Sequence, residues 1–222
     1  MGVRISPEAP DISISKGMKT IQIGNLPIDI HDGAIGISMS GGADSSILFY
    51  ILMKYAPGPI NIFSCGNGRT NNQEVEGAVR VVNYVMKKIE RYDITFHAHW
   101  EKHKLTHNAF NEDLIQKFNV SVIYAGFTTP PPEGAIADFD TEACYGGKHE
   151  PGVTYPNYSR NGRIYIPFAN IDKKGIADLY KELDVEDLYS VTRSCESLTL
   201  LGGHCGKCWW CKERVWAFGK LE

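Results

Sequence analysis

The chain has 222 residues, of which 43% are hydrophobic, and its formal net charge is −3. This size and apolar fraction suit one domain with a substantial core and a small appendage. The weak negative charge argues against a nucleic-acid partner, because such proteins contact phosphates with a surplus of basic side chains. No apolar run reaches about 20 residues and the first residues lack a signal-peptide pattern, so we expect a cytoplasmic protein without membrane contact.

Residues 1–33 are predicted to form a strand extension that precedes the main domain. Two short alternating runs, residues 12–15 and 20–23, flank the turn signal Lys16-Gly17. This pattern indicates a short hairpin or an edge pair of strands.

Residues 34–190 alternate predicted strands with predicted helices. Strands are expected at residues 34–39, 60–65, 92–100, 120–127 and 163–168, and helices near residues 47–56, 73–89, 111–118 and 173–183. The alternation predicts an α/β fold with a doubly wound parallel sheet, whose ligands bind beyond the carboxyl ends of the strands. A loop rich in proline, glycine and tyrosine, residues 128–161, interrupts the pattern, and we interpret it as an ordered substrate lid.

The segment MSGGADSS joins the first apolar strand of this domain to an apolar helix. A glycine turn at a helix start presents backbone amides to an anion. We therefore predict a phosphate site formed by residues Met39, Ser40, Gly41, Gly42, Ala43, Asp44, Ser45 and Ser46. The glycines would allow close approach, the serine hydroxyls would donate hydrogen bonds, and Asp44 is a candidate Mg²⁺ ligand. The alternative interpretation is an ordinary turn followed by a helix cap.

Four of the six cysteines fall within residues 195–211, namely Cys195, Cys205, Cys208 and Cys211. In a reducing compartment such a cluster indicates a metal site, and four thiolates suit a tetrahedral Zn²⁺ ion. An iron–sulfur cluster is the alternative, and His204 could replace one thiolate. A closed four-thiolate site leaves no position for water, so residues 191–222 are predicted to be a structural zinc-binding segment. Cys65 and Cys144 stand apart and are interpreted as ordinary thiols.

Two motifs resemble those of known families. SGGADSS resembles the SGGxDS pyrophosphate loop of the N-type ATP pyrophosphatases, the PP-loop superfamily, and TRSCESLTLLGGHCGKCWWCKERVWAF is similar to the zinc segment of the 7-cyano-7-deazaguanine synthases. Thr192, Ser194 and the four cysteines match that segment, whereas Arg193 stands where tryptophan is usual. IYIPFANIDKKGIADLYKELDV also resembles the strand, proline and lysine-bearing helix of the synthases. The likeness extends from Ala34 to Phe218, and it implies a fold of the adenine nucleotide alpha-hydrolase type.

The resemblance implies an ATP-dependent carbon–nitrogen ligase of queuosine biosynthesis. Such an enzyme adenylates a carboxylate, releases pyrophosphate and lets ammonia displace AMP, converting 7-carboxy-7-deazaguanine to the nitrile or stopping at the amide. ATP, Mg²⁺ and Zn²⁺ are the implied cofactors. By the same likeness Lys173 faces the phosphates, with Lys174 as its competitor, and Arg69 contacts a phosphate or caps a helix.

This chain departs from the synthases at two motifs, which leaves the acceptor open. A PxRN motif is replaced by KHKLTHNAFN, and a YPDCRPEF motif is reduced to Tyr155-Pro156-Asn157. A PP-loop enzyme acting on a tRNA base or on another carboxylate metabolite is one alternative. A non-catalytic, zinc-stapled nucleotide-binding module is the other. The ammonia source and the oligomeric state, including a homodimer, are also left open.

Overall fold

A computed structural model describes residues 17–66, 73–100, 114–139, 156–159, 162–195, 197 and 203–222. The strands are β1 (Met18–Ile23), β2 (Leu26–His31), β3 (Ile35–Ser38), β4 (Ile60–Gly66), β5 (Ile94–Trp100), β6 (Ile123–Ala125) and β7 (Ile164–Tyr165). The helices are α1 (Ala43–Tyr55), α2 (Gln73–Ile89), α3 (described over 114–118), α4 (Lys173–Glu182), α5 (Glu186–Tyr189) and α6 (Trp209–Phe218). Helix α1 begins four residues before the predicted helix because ADSS forms its first turn.

The main sheet has five parallel strands in the order β5-β4-β3-β6-β7. Strand β3 is the first strand of this sheet along the chain, and later strands pair with both of its edges. The strand order therefore reverses between β3 and β6, and ligands of such sheets bind at this point, beyond the carboxyl ends of the strands. The predicted doubly wound parallel sheet is confirmed.

Helices cover both faces of this sheet because successive side chains of a strand point to opposite sides. On β4, Ile62 joins the main core with residues of α1 and α2. The next residue, Phe63, packs instead with Leu114 and Ile115 of α3. Each strand of the sheet centre is thus apolar on both sides, as buried parallel strands require.

The N-terminal hairpin exists, but its predicted turn is wrong. Strands β1 and β2 pair antiparallel with Ile23 opposite Leu26, so the chain reverses at Gly24-Asn25 rather than at Lys16-Gly17. Gly24 has a φ of +54°, a conformation that glycine adopts without steric penalty. The run at residues 12–15 lies outside the described residues.

Tyrosine hydroxyls of the sheet attach the hairpin to the core. The Tyr124 hydroxyl accepts a hydrogen bond from the His31 amide at 2.9 Å and donates one to the Asp29 carbonyl at 2.9 Å. The Tyr165 hydroxyl accepts from the Asp29 amide at 3.0 Å. Ile28 and Ile30 are fully buried in the main core, so the hairpin closes one side of the domain.

The predicted lid, residues 128–161, is described only near its two ends. At the first end the Thr129 amide donates to the Ile171 carbonyl at 2.8 Å. At the other end Tyr158 forms an antiparallel bridge with Tyr165 of β7. The division into residues 1–33, 34–190 and 191–222 stays a prediction. Within the described part of the chain, no helix combines the length and apolar character that a membrane span needs.

Candidate functional site

The predicted phosphate loop lies at the point where the strand order reverses. It leaves the carboxyl end of β3 and enters α1, and Gly41 adopts a φ of +78° within it. A Cβ atom at Gly41 would stand 2.4 Å from the Gly77 carbonyl carbon on α2. Gly41 is thus required for the close contact between this loop and α2. A Cβ at Gly126, just after β6, would likewise lie 2.9 Å from the Ser45 amide nitrogen.

The start of α1 presents backbone amides that no side chain caps. Gly42 is the N-cap residue and makes no side-chain cap hydrogen bond. The first amides of a helix have no intrahelical acceptor, and together with the helix dipole they attract anions. A Cβ at Gly42 would make only ordinary contacts, the nearest being Ser40 Oγ at 3.4 Å and the Arg193 carbonyl oxygen at 3.6 Å. The geometry is that of an anion site.

The loop serines differ in how their hydroxyls are used. Ser46 is fully buried, and its hydroxyl donates to the Gly42 carbonyl at 2.7 Å, so it stabilises the helix start instead of facing a ligand. The Ser45 hydroxyl lies 3.2 Å from the Gly42 carbonyl and 3.2 Å from the Ser40 hydroxyl. Ser40 is exposed, whereas Met39 is a core residue whose amide donates to the Phe63 carbonyl.

A buried charge cluster lies beside the loop. The Lys173 ammonium donates a short hydrogen bond to Asp44 Oδ2, and Glu213 Oε2 lies 3.5 Å from the same nitrogen. Only 4% of the Lys173 side chain and 1% of the Glu213 side chain are exposed, against 16% for Asp44. Three distant segments, the starts of α1 and α4 and the middle of α6, therefore meet at one ammonium group.

Burial and charge oppose each other in this cluster. Burial by itself lowers the pKa of Lys173, but the carboxylates of Asp44 and Glu213 outweigh it and raise that pKa above its ordinary value. Lys173 is therefore a fixed positive charge at neutral pH. Burial raises the pKa of Glu213, with Asp44 adding to the rise and Lys173 opposing it.

The structure separates Lys173 from its competitor Lys174. Asp172 caps α4 by accepting hydrogen bonds from the amides of Lys174 and Gly175, which sets the direction of the first turn. Lys173 then points inward to Asp44, while the exposed Lys174 places its ammonium 4.7 Å from the centre of the Trp216 ring. Of the two lysines, Lys173 is the one that faces the phosphate loop.

One carboxylate oxygen of Asp44 is a candidate ligand for a cation. Its Oδ2 binds Lys173, whereas its buried Oδ1 has no hydrogen-bond partner among the described residues. A buried carboxylate oxygen without a partner is costly, and carboxylate oxygens together with substrate phosphates are the ligands that Mg²⁺ prefers. Asp44 therefore fits a Mg²⁺ ion that would be shared with a bound triphosphate.

The four predicted metal ligands come together. The Sγ atoms of Cys195, Cys205, Cys208 and Cys211 all lie within 4.8 Å of one another. Two of the separations, Cys205 to Cys211 and Cys195 to Cys208, are 3.9 Å. Zinc–thiolate bonds of about 2.3 Å in a tetrahedron place sulfurs about 3.8 Å apart, so the cluster suits one Zn²⁺ ion. An iron–sulfur cluster distributes its four thiolates over two or four irons, so it needs a wider cage than a single ion does.

Backbone amides support these sulfurs as thiolates. The amides of Lys207 and Cys208 donate to Cys205 Sγ at 3.4 and 3.3 Å, and the Cys205 amide donates to Cys195 Sγ at 3.4 Å. Such outer hydrogen bonds orient metal ligands. His204 is not a member of the cluster: its Nδ1 faces Glu222 Oε1 at 3.4 Å.

Hydrogen bonds connect the predicted zinc-binding segment, residues 191–222, to the phosphate loop. The Arg193 amide donates to the Gly41 carbonyl at 2.8 Å, and the Arg193 guanidinium donates to the carbonyls of Ser197 and Gly203. Arg214, fully buried on α6, donates to the Thr192 hydroxyl at 2.9 Å. The two predicted motifs thus form one continuous site region.

Some predicted residues cannot be placed, and others were missed. Arg69 and Cys144 lie outside the described residues. Glu213, Gly77 and Gly126 were not singled out from the sequence. The acidic residue in the segment CKER was a visible signal for Glu213, but its distance from Lys173 depends on how α6 packs against α4.

Two family models match consecutive parts of the chain. The model described as asparagine synthase matches residues 30–117, and the one described as queuosine biosynthesis protein QueC matches residues 140–222. No curated protein gives a significant match. The first match contains the phosphate loop, and the second contains Lys173, Glu213 and the four cysteines.

Two solved structures are similar to this chain at low identity. An NMN synthetase from Francisella tularensis is 12% identical, with a TM-score of 0.43, covering 84% of this chain and 81% of that one. An NH3-dependent NAD synthetase from Campylobacter jejuni is 11% identical, with a TM-score of 0.38, covering 70% and 66%. At this level of similarity neither structure informs the function of this chain.

The family matches agree with the geometry. The N-terminal match covers a strand, an SGGADSS loop and a helix arranged for an anion, and the C-terminal match covers a four-cysteine cluster suited to zinc. Residues 30–117 are thus similar to the asparagine synthase family, and residues 140–222 are similar to the QueC family.

Proposed function

We propose that this protein adenylates the carboxylate of 7-carboxy-7-deazaguanine and replaces it with nitrogen from ammonia, giving 7-cyano-7-deazaguanine. The observation that carries the proposal is the buried Asp44–Lys173 pair beside the start of α1, which no side chain caps. A cation, a carboxylate that could hold Mg²⁺ and a set of backbone amides lie together there, and this combination suits a triphosphate. The match of residues 140–222 to QueC supports the deazapurine acceptor.

The reaction begins when a carboxylate oxygen attacks the α-phosphate of ATP and pyrophosphate leaves. Negative charge grows on the leaving pyrophosphate, and the amides at the start of α1 together with the Lys173 ammonium stabilise it electrostatically. Asp44 would hold Mg²⁺, which supplies further neutralisation of the phosphates when bound. The exposed Ser40 hydroxyl of the loop orients the phosphate chain.

Ammonia then attacks the acyl carbon and AMP leaves with the carboxylate oxygen, which gives the amide. Carboxylate oxygen is a poor leaving group, whereas AMP is a good one. A second ATP activates the amide oxygen, and loss of a second AMP with two protons leaves the nitrile. The amide product thus consumes one ATP, and the nitrile product consumes two.

Mass spectrometry of the products tests this proposal. The purified protein is incubated with ATP, Mg²⁺, ammonium and a panel of carboxylates that includes 7-carboxy-7-deazaguanine. We expect AMP and pyrophosphate only with the deazapurine, and two AMP for each nitrile. ADP and orthophosphate as products would contradict the chemistry, and turnover with another carboxylate would correct the acceptor.

Matched variants connect the activity to the site. Asp44→Asn and Lys173→Met are expected to lose AMP release, because each removes a charge that faces the phosphates. Lys174→Met is the control. Lys174 is next to Lys173 in the chain, but its ammonium lies over the Trp216 ring. Equal loss in all three variants would refute the assignment of Lys173.

A further inference from the structure

The zinc segment contributes a side chain to the charge cluster of the ATP site. Glu213 belongs to α6, and its carboxylate lies 3.5 Å from the Lys173 ammonium, on a side chain that is 1% exposed. We propose that Glu213 is a positioning residue: it holds Lys173 in place, so the zinc-bearing segment controls ATP cleavage without touching the nucleotide. This inference rests on the proposed function.

Glu213 is an unusual residue for a buried helix position. Burying a carboxylate forfeits its hydration, and an apolar side chain of similar size packs a helix at lower cost. The Glu213 side chain is nevertheless 1% exposed, and its carboxylate reaches the ammonium group that also binds Asp44.

The proposed reaction gives this carboxylate a role, because Asp44 would have two tasks. Its Oδ2 binds Lys173, and its buried Oδ1 has no hydrogen-bond partner among the described residues. A Mg²⁺ ion held by Asp44 would draw electron density from its carboxylate and weaken the hold of Asp44 on the ammonium. Glu213 is then the contact that keeps Lys173 beside the phosphates, since its carboxylate approaches the ammonium from a different helix.

The zinc ligands determine where Glu213 lies. Cys208 is the N-cap residue of α6 and Cys211 is in its first turn, two residues before Glu213. On the next residue, Arg214 is held by the hydroxyls of Thr192 and Ser194. A metal ion held by the cysteines would thus fix the start and the rotation of α6, and with them the position of the Glu213 carboxylate.

Glu213→Gln tests the inference, with Glu222→Gln as its matched control. Both changes remove one carboxylate from the zinc segment, but Glu222 is 69% exposed and faces only His204 among the described residues. We expect Glu213→Gln to lower kcat for AMP release about tenfold or more and to change KM for ATP less than about threefold, because Lys173 acts on charge that develops in the transition state. Glu213→Asp should regain part of the loss.

Two further measurements separate positioning from folding. Zinc content and the thermal midpoint should stay at the wild-type values in Glu213→Gln. Labelling of Lys173 by acetic anhydride, read by peptide mass spectrometry, should become several-fold faster in this variant and in protein stripped of zinc. Labelling of Lys54 and Lys88, which lie on other helices, should not change.

Each outcome decides the matter. A kcat equal to that of Glu222→Gln would overturn the inference, and so would loss of zinc with parallel changes in kcat and KM, because that pattern marks a folding defect. If the wild-type protein does not cleave ATP with any of the acceptors tested, the proposed function fails. The labelling rates alone then decide whether Glu213 positions Lys173. Unchanged labelling would then refute the positioning itself.

Discussion

Replacing Lys173 by methionine removes the only positive charge that the described structure places between Asp44 and Glu213. Methionine keeps a similar length and apolar stem, so the change isolates the ammonium. Removing one partner of a buried ion pair typically costs about 3 to 5 kcal/mol, because the remaining charge is left without compensation. We expect a loss in that range, since Glu213 is almost fully buried.

The size of this loss makes it measurable. Domains are stable by about 5 to 15 kcal/mol, so the variant should lose a large share of its free energy of unfolding. Urea unfolding with saturating Zn²⁺ at pH 7.5 measures it. Lys174→Met is the matched control: this exposed lysine makes one contact over the Trp216 ring, and its loss should cost about 1 kcal/mol or less.

A double variant identifies the cause of the loss. Lys173→Met with Glu213→Gln no longer buries a carboxylate that has lost its contact with the Lys173 ammonium, so it should be more stable than Lys173→Met alone by about 1 to 3 kcal/mol. It should remain inactive, because the ammonium is still absent. A loss below about 1 kcal/mol in Lys173→Met, or no recovery in the double variant, would refute the charge-cluster reasoning.

Three further predictions concern other parts of the molecule. Cys208→Ser should reduce bound zinc and lower the thermal midpoint, as measured by metal analysis and calorimetry; full zinc occupancy would contradict the tetrahedral site. Gly41→Ala should abolish ATP binding in calorimetry and cost at least about 1 to 2 kcal/mol, because its φ is +78° and its Cβ would meet Gly77; wild-type affinity would show that the loop adjusts. Burial lowers the pKa of His31 below 6.5, so the folded state resists its protonation and stability falls as the pH drops through 6.5. His31→Gln should remove that part of the pH dependence, at most about 1.4 kcal/mol per pH unit, between pH 7.5 and 5.5; an unchanged slope would exclude His31 as its source.

Much of the fold could be predicted because its signals are local. Apolar strand segments alternate with segments of helical period, and helix α2 has the predicted bounds, Gln73–Ile89. The hairpin turn was misplaced because Lys16-Gly17 and Gly24-Asn25 are both turn signals, and only pairing of β1 with β2 decides between them. That pairing depends on which residues, Ile28 and Ile30 among them, reach the core.

The amino-acid sequence by itself determined the two motifs, since a loop of eight residues and a cysteine cluster of 17 contain all their own ligands. Only the tertiary structure decided how they combine. Lys173 meets Asp44 across 129 residues of chain, and Glu213 arrives from a third segment. Contacts of this kind arise because parallel strands bring their carboxyl ends to one edge and helices α1, α4 and α6 pack there. Spacing along the chain carries no information about them.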